Sequence, residues 1–137
     1  MKKALIVLAH GSRSPAAARE VRSLARAIGR RCGFAIVRHA FLRTAKPDFA
    51  EAVAACVKRK AEEITVAVHL LNAGRHTLRD IPALVRRARG KYNGICFKVL
   101  PALGLSRDLV FVYRKMIRRQ KRGGRSRPRK IRKGEAS

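Results

Sequence analysis

The stretch "ALIVLAHGSRSP", residues 4–15, decides how the chain is read. Six apolar residues stop abruptly at His10, and Gly11, Ser12, Arg13, Ser14 and Pro15 follow. Six residues with no polar alternation suit a strand covered on both faces, as in a parallel sheet. Ser14 and Pro15 stand where a helix N-cap and a first-turn proline belong. The segment therefore reads as strand, loop and helix start, with a histidine and an arginine in the loop.

The same grammar recurs along the chain. "FAIVRHAFL" (34–42), "ITVAVHLL" (64–71) and "ICFKVL" (95–100) are of strand length. The first of these carries Arg38 and His39 and suits a sheet edge; the other two read as buried on both faces. Helical spacing of apolar residues fills the gaps. Val21, Leu24, Ala25 and Ile28 mark a helix over 16–31, and Phe49, Ala52, Val53 and Cys56 one over 48–62. Ile81, Leu84, Val85 and Ala88 mark a helix over 78–89, with Pro82 near its start. Leu109, Val110, Val112, Met116 and Ile117 mark one over 105–120. The alternation β-α-β-α-β-α-β-α predicts an α/β fold of three layers. Right-handed crossovers make it a doubly wound, four-stranded parallel sheet in the order 2-1-3-4, with helices on both faces.

A chain of 137 residues, 47% of them hydrophobic, suits one compact domain. That domain is expected over 1–120. Beyond it, "KRGGRSRPRKIRKGEAS" holds one isoleucine among many cations, so 121–137 is expected to be a disordered basic tail. No apolar run nears the ~20 residues that span a bilayer, so no membrane role is expected. The opening lacks a small-residue cleavage site and reads as a strand rather than a leader. Cys32, Cys56 and Cys96 form no CxxC pair and are expected to be buried free thiols in a reducing cytoplasm.

The net charge of +26 favours anionic partners: polyanionic metabolites, nucleic acid or acidic lipid. Residues 114–137 hold 12 Lys/Arg against one acid, Glu135, yet the rest of the chain is strongly basic as well.

In a parallel sheet the loops at the carboxyl ends of the strands share one rim, and open α/β sheets bind ligands there. His10 follows the first strand, Arg43 and Thr44 the second, and Asn72 to His76 the third. Topology thus brings two histidines, 66 residues apart, to one edge. Neutral imidazole ligates first-row divalent metals and accepts protons near neutral pH. Two imidazoles without a cysteine make half a metal site, suited to an ion that is handed on rather than kept. His39 and His69 lie inside strands and read as structural. "HGSR" could instead receive a phosphate at the following helix N-terminus, but it matches neither GxxxxGK[ST] nor GxGxxG.

Three motifs taken together, "LAHGSR", "FLRTAKPDFAEAV" and "AGRHTLRDIPAL", resemble the sirohydrochlorin chelatases, and most of all the small, single-domain archaeal type of cobaltochelatase. The likeness runs from about Lys3 to Ile117. It implies ATP-independent insertion of Co2+, with Ni2+ or Fe2+ as other substrate metals, into sirohydrochlorin, a macrocycle with eight carboxylates. The product serves tetrapyrrole biosynthesis, cobalamin in particular. It implies His10 and His76 as the metal-binding and proton-accepting pair, and Ser12, Arg13, Gly74 and Arg75 as substrate-binding loop residues; by charge, Arg43 is a further substrate-binding residue and Arg79 a further candidate. No tightly bound cofactor is implied, and a homodimer is, because larger relatives hold two such lobes. Relatives carry a glutamate after the second strand, in an "FLE"-like stretch; here Arg43 stands in its place.

Two other functions fit parts of the sequence. One is a nucleic-acid-binding basic α/β protein, with the tail making non-specific contacts. Against it, only 5% of residues are aromatic, few for base stacking. The other is a metal-binding protein without chelatase activity, for which Arg43 is the best argument.

Overall fold

A computed structural model describes residues 1–72 and 74–123. The chain forms two compact units, Met1–Ser106 and Arg107–Ser137. The first unit holds β1 (Lys3–Ala9), α1 (Pro15–Cys32), β2 (Ile36–Phe41), α2 (Phe49–Lys58), β3 (Glu63–His69), α3 (Arg75–Lys91) and β4 (Cys96–Val99), closed by a 3-10 turn over Leu103–Leu105. The four strands are parallel in the order β2-β1-β3-β4, as the sequence pattern predicts.

β1 lies at the centre because it is apolar from Ala4 to Ala9. Leu5, Ile6, Val7 and Leu8 are each at most 1% exposed, and each such side chain contributes about 1.5–3 kcal/mol of hydrophobic transfer energy. Period-two alternation divides them between two cores. Ala4, Ile6 and Leu8 join Ile64, Val66, Val68 and Leu70 of the β3 segment, under α2 and α3 through Phe49, Val53, Ile81 and Val85. Leu5 and Val7 face α1 through Ala25 and its neighbours. The three layers are α1, the sheet, and the α2–α3 pair.

Local chemistry sets the helix ends. The Ser14 hydroxyl accepts from the Ala17 amide at 3.4 Å, with Pro15 in the first turn. Asp48 and Glu51 form a reciprocal capping box at α2: the Glu51 amide donates to Asp48 at 2.9 Å, and the Asp48 amide donates to Glu51 at 3.0 Å.

Several expectations are corrected. α2 ends at Lys58 rather than at residue 62. α3 begins at Arg75, three residues before the expected start, so Pro82 lies inside it. The amide of Leu78 donates to the Gly74 carbonyl at 3.1 Å, which carries the helix back over His76. β4 is not buried on both faces. It is a four-residue edge strand with Cys96, Lys98 and Val99 exposed, held partly by Lys98 Nζ on Glu63 Oε2 at 2.8 Å. This ion pair holds the Glu63 carboxyl below its usual range. Of the three thiols only Cys56, on the inner face of α2, is buried; its burial pushes the thiol up to about 11. Cys32 and Cys96 are exposed, at a helix end and an edge strand respectively.

The second unit contains α4 (Asp108–Arg122). None of its residues is buried, so the apolar face predicted from its spacing exists but lies exposed through Val110, Val112, Met116 and Ile117. The helix runs two residues past the expected limit of 120. The rest of the expected disordered tail, 124–137, falls outside the described residues. Among the described residues, no helix is long and apolar enough to cross a membrane.

Candidate active-site rim

Strand register brings the loops together. Ala9, the last residue of β1, stands beside Phe41 of β2 and His69 of β3. Backbone bonding ties the two loops together where the strands end: the Leu42 amide donates to the Ala9 carbonyl at 2.9 Å, and the Arg43 amide to the His10 carbonyl at 2.9 Å.

Gly11 turns the chain away at φ +113, in the region that glycine occupies without strain. The β2 loop presses so close here that a Cβ on Gly11 would meet the Arg43 carbonyl oxygen at 1.7 Å. Arg43 in turn sits at the start of a tight reversal. Its carbonyl accepts from the Ala45 amide at 2.8 Å, with Thr44 between them at φ +69, the hydrogen bond and φ of a γ-turn. Non-glycine residues at such φ values persist only where the surrounding contacts fix them. Ser12 Oγ accepts from the Ser14 amide at 3.1 Å, leaving Arg13 exposed between them.

The other half of the rim comes from α3. Gly74 is the N-cap and makes no side-chain cap hydrogen bond. Arg75 and His76 are the first two helical residues, both exposed, and no acid lies in the first turn. Asp80 stands one turn beyond His76, on the same helix face. It accepts from Arg43 Nη2 at 3.2 Å. A continuous path thus joins the two histidines: His10 by its backbone to Arg43, Arg43 by its side chain to Asp80, and Asp80 along one turn of α3 to His76. Beneath it, Leu42, Arg43, Thr77, Asp80, Leu84 and Arg87 line a cavity of 210 Å³.

The predicted residues sort accordingly. His10, Arg13, Arg43, Gly74, Arg75 and His76 are all exposed at the carboxyl edge, and Ser12 is half-buried there. His69, at the end of β3, faces an apolar groove with Leu24, Ile28, Leu100 and Leu103 rather than the rim residues. His39 packs edge-on to Phe41 with ring centroids 5.6 Å apart, as a structural histidine does. Sequence reasoning missed Asp80 and Arg87 as rim residues. Their i, i+7 spacing within α3 is the signal that could have found them, once the helix start was set at Arg75. Among the described residues no group of three or more His, Cys, Asp or Glu could hold a metal.

Comparison with known proteins places this arrangement. The chain is 29% identical over 100 residues to the chloroplastic sirohydrochlorin ferrochelatase of Arabidopsis thaliana, covering 73% of this chain and 44% of that protein. It is 34% identical over 83 residues to the sirohydrochlorin cobaltochelatase of Methanocaldococcus jannaschii, covering 61% and 58%. The crystal structure of the sirohydrochlorin chelatase SirB from Bacillus subtilis subspecies spizizenii, in complex with cobalt, matches with a TM-score of 0.72 and 28% identity, over 86% of this chain and 51% of that one. The chain therefore spans about half the length of these relatives. The CbiX family profile matches residues 4–120, nearly all of the described chain, and with the two histidine loops on one rim the chain belongs to the CbiX family.

Proposed function

We propose that this protein inserts a divalent metal into sirohydrochlorin without ATP. The observation that carries the reading is the convergence of the His10 and His76 segments at the carboxyl ends of adjacent strands β1 and β3. In this reading the two imidazoles receive the incoming ion, and as it passes to the macrocycle they accept the protons that the pyrrole nitrogens release. One imidazole nitrogen cannot hold the metal and a proton at once, so two residues divide the work. Ser12, Arg13, Arg43, Gly74 and Arg75 bind the macrocycle, the guanidiniums pairing with its carboxylates.

Cobalt is the proposed substrate metal, for cobalamin synthesis in the cytoplasm. The support is the 34% identity to the cobaltochelatase of M. jannaschii, although the ferrochelatase match shows how near iron lies. The functional unit is proposed to be a homodimer, since one copy matches about half of the longer relatives. Within it 1–120 acts as a single domain, in keeping with the extent of the family match. Residues 121–137 add a salt-sensitive, non-specific affinity for nucleic acid.

The test mixes purified protein with sirohydrochlorin and Co2+, Ni2+ or Fe2+ under anaerobic conditions and follows the absorption change of metal insertion. Turnover above the protein-free rate with at least one metal supports the reading. Rates equal to the protein-free control with all three sink it.

A further inference from the structure

We infer that Arg43, Asp80 and Arg87 form an exchange subsite for one carboxylate arm of the macrocycle, in which Asp80 holds the place of that carboxylate until substrate arrives. The inference rests on the chelatase reading and adds a role for Asp80 and Arg87.

The geometry of the Arg43–Asp80 pair is the starting point. It is a single Nη2–Oδ2 contact of 3.2 Å between side chains that are 61% and 52% exposed. A guanidinium satisfies a carboxylate best through two parallel hydrogen bonds. A monodentate, half-exposed pair is therefore a weak one, and it leaves the remaining guanidinium donors open to a better acceptor. The γ-turn at Thr44 and the contact with Gly11 fix the backbone from which Arg43 extends. Arg87 lines the cavity below as well, so two arginines share it with one acid.

Size decides what enters. A pocket for a whole small molecule runs to about 300–1,000 Å³, and 210 Å³ is too small for a tetrapyrrole. It is of the right order for one acetate- or propionate-type arm. The apolar wall from Leu42, Ala83 and Leu84 suits the methylenes of such an arm, and the two arginines suit its carboxylate. On entry the arm takes the Arg43 fork, and Asp80 is released to water. No covalent bond changes. In the free protein Asp80 keeps Arg43 extended toward α3, and after metal insertion it competes for the guanidinium again and eases product release.

The test is a fluorescence titration of metal-free sirohydrochlorin into the full-length protein with no metal present. Asp80→Asn removes the internal competitor and is expected to tighten binding about three- to fivefold, the scale of an exposed ion pair. Arg87→Gln is expected to weaken it about fivefold. Glu51→Gln makes the same change in net charge away from the cavity and is expected to shift affinity by less than about twofold. Thermal melts matching the parent confirm that each variant is folded. Equal or weaker binding by folded Asp80→Asn overturns the inference, as does an unchanged affinity in Arg87→Gln. If the parent binds and metallates sirohydrochlorin, such a result leaves the chelatase reading standing. If the parent neither binds nor metallates it, both fall together.

Discussion

The two histidine-bearing segments reach the same rim by opposite means. His10 directly follows the central strand β1 and its carbonyl accepts from the Arg43 amide, with Gly11 wedged against Arg43 behind it. His76 sits in the first turn of a helix whose N-cap, Gly74, has no neighbour within 4 Å of a would-be Cβ and no side-chain cap bond. One histidine is set beside the sheet, and the other sits on a helix end that has no side-chain cap; in the proposed mechanism the first would position the ion and the second would let it go.

The most severe way to break the comparison is to remove either imidazole. His10→Ala and His76→Ala are each expected to lower metal insertion on the order of 100-fold or more, the usual scale for losing a positioned acid–base group. Melting temperatures should stay within a few degrees of the parent, since both side chains are exposed. Insertion rates equal to the parent in both variants would show that the rim histidines are not functional.

Gly11→Ala attacks the anchored side alone. The new methyl would overlap the Arg43 carbonyl, at a φ that alanine rarely adopts. The expected cost is about 2–4 kcal/mol in urea unfolding, the range for overpacking and backbone strain combined. A loss below 0.5 kcal/mol would mean that the two loops part easily, and the contrast between the segments would disappear.

His39 measures how far the rim differs from the sheet body. Burial, followed by the positive charges of Arg22, Arg26 and Arg38, holds its pKa below the ordinary 6.5. The folded state therefore binds its proton less readily than the unfolded chain. The linked stability is fully present above pH 6.5 and declines as pH falls from there toward the folded-state pKa. Unfolding midpoints for His39→Gln should depend less on pH across that window than those of the parent. Identical pH slopes would remove His39 as a source of acid sensitivity.

The mildest probe is Gly74→Ser, which offers α3 the cap it lacks. A gain of a few tenths of a kcal/mol in unfolding free energy is expected, because serine exceeds glycine as an N-cap by about that much. If the serine variant also slows metal insertion at constant sirohydrochlorin affinity, the freedom of the His76 end is part of the mechanism. Unchanged insertion would make the bare cap incidental.

Much of this was legible in the sequence because it depends on local pattern. The unbroken run at 4–9 required burial on both faces and so a central parallel strand. The cap residues Ser14 and Pro15 marked where the first helix begins, and alternation of strands with helices allowed few topologies. The placing of His10 and His76 on the carboxyl edge of a parallel sheet followed from that pattern, and the order 2-1-3-4 was a further expectation that the structure bears out. What the pattern could not give was the extent of cover on each element. "ICFKVL" has the composition of an inner strand, but as the last in the order β4 has a partner on one side only, and of its four residues only Phe97 is buried. The stripe of α4 is apolar by spacing, yet none of its residues is buried. Pro82 suggested a helix start because proline favours the first turn; α3 nevertheless reaches back to Arg75 and carries His76 with it.

The sequence by itself determined which residues could do chemistry at the rim and on which strands they follow. Tertiary structure decided which of them meet. Arg43 and Asp80 are 37 residues apart, one in the loop after β2 and the other in the second turn of α3, and no local rule pairs them; their contact exists because the β2 loop folds over Gly11 toward α3. Local structure is set by short-range sterics and hydrogen bonding, which a one-dimensional pattern records. A long-range contact between exposed side chains depends on loop paths, and those are fixed only when the whole rim is assembled.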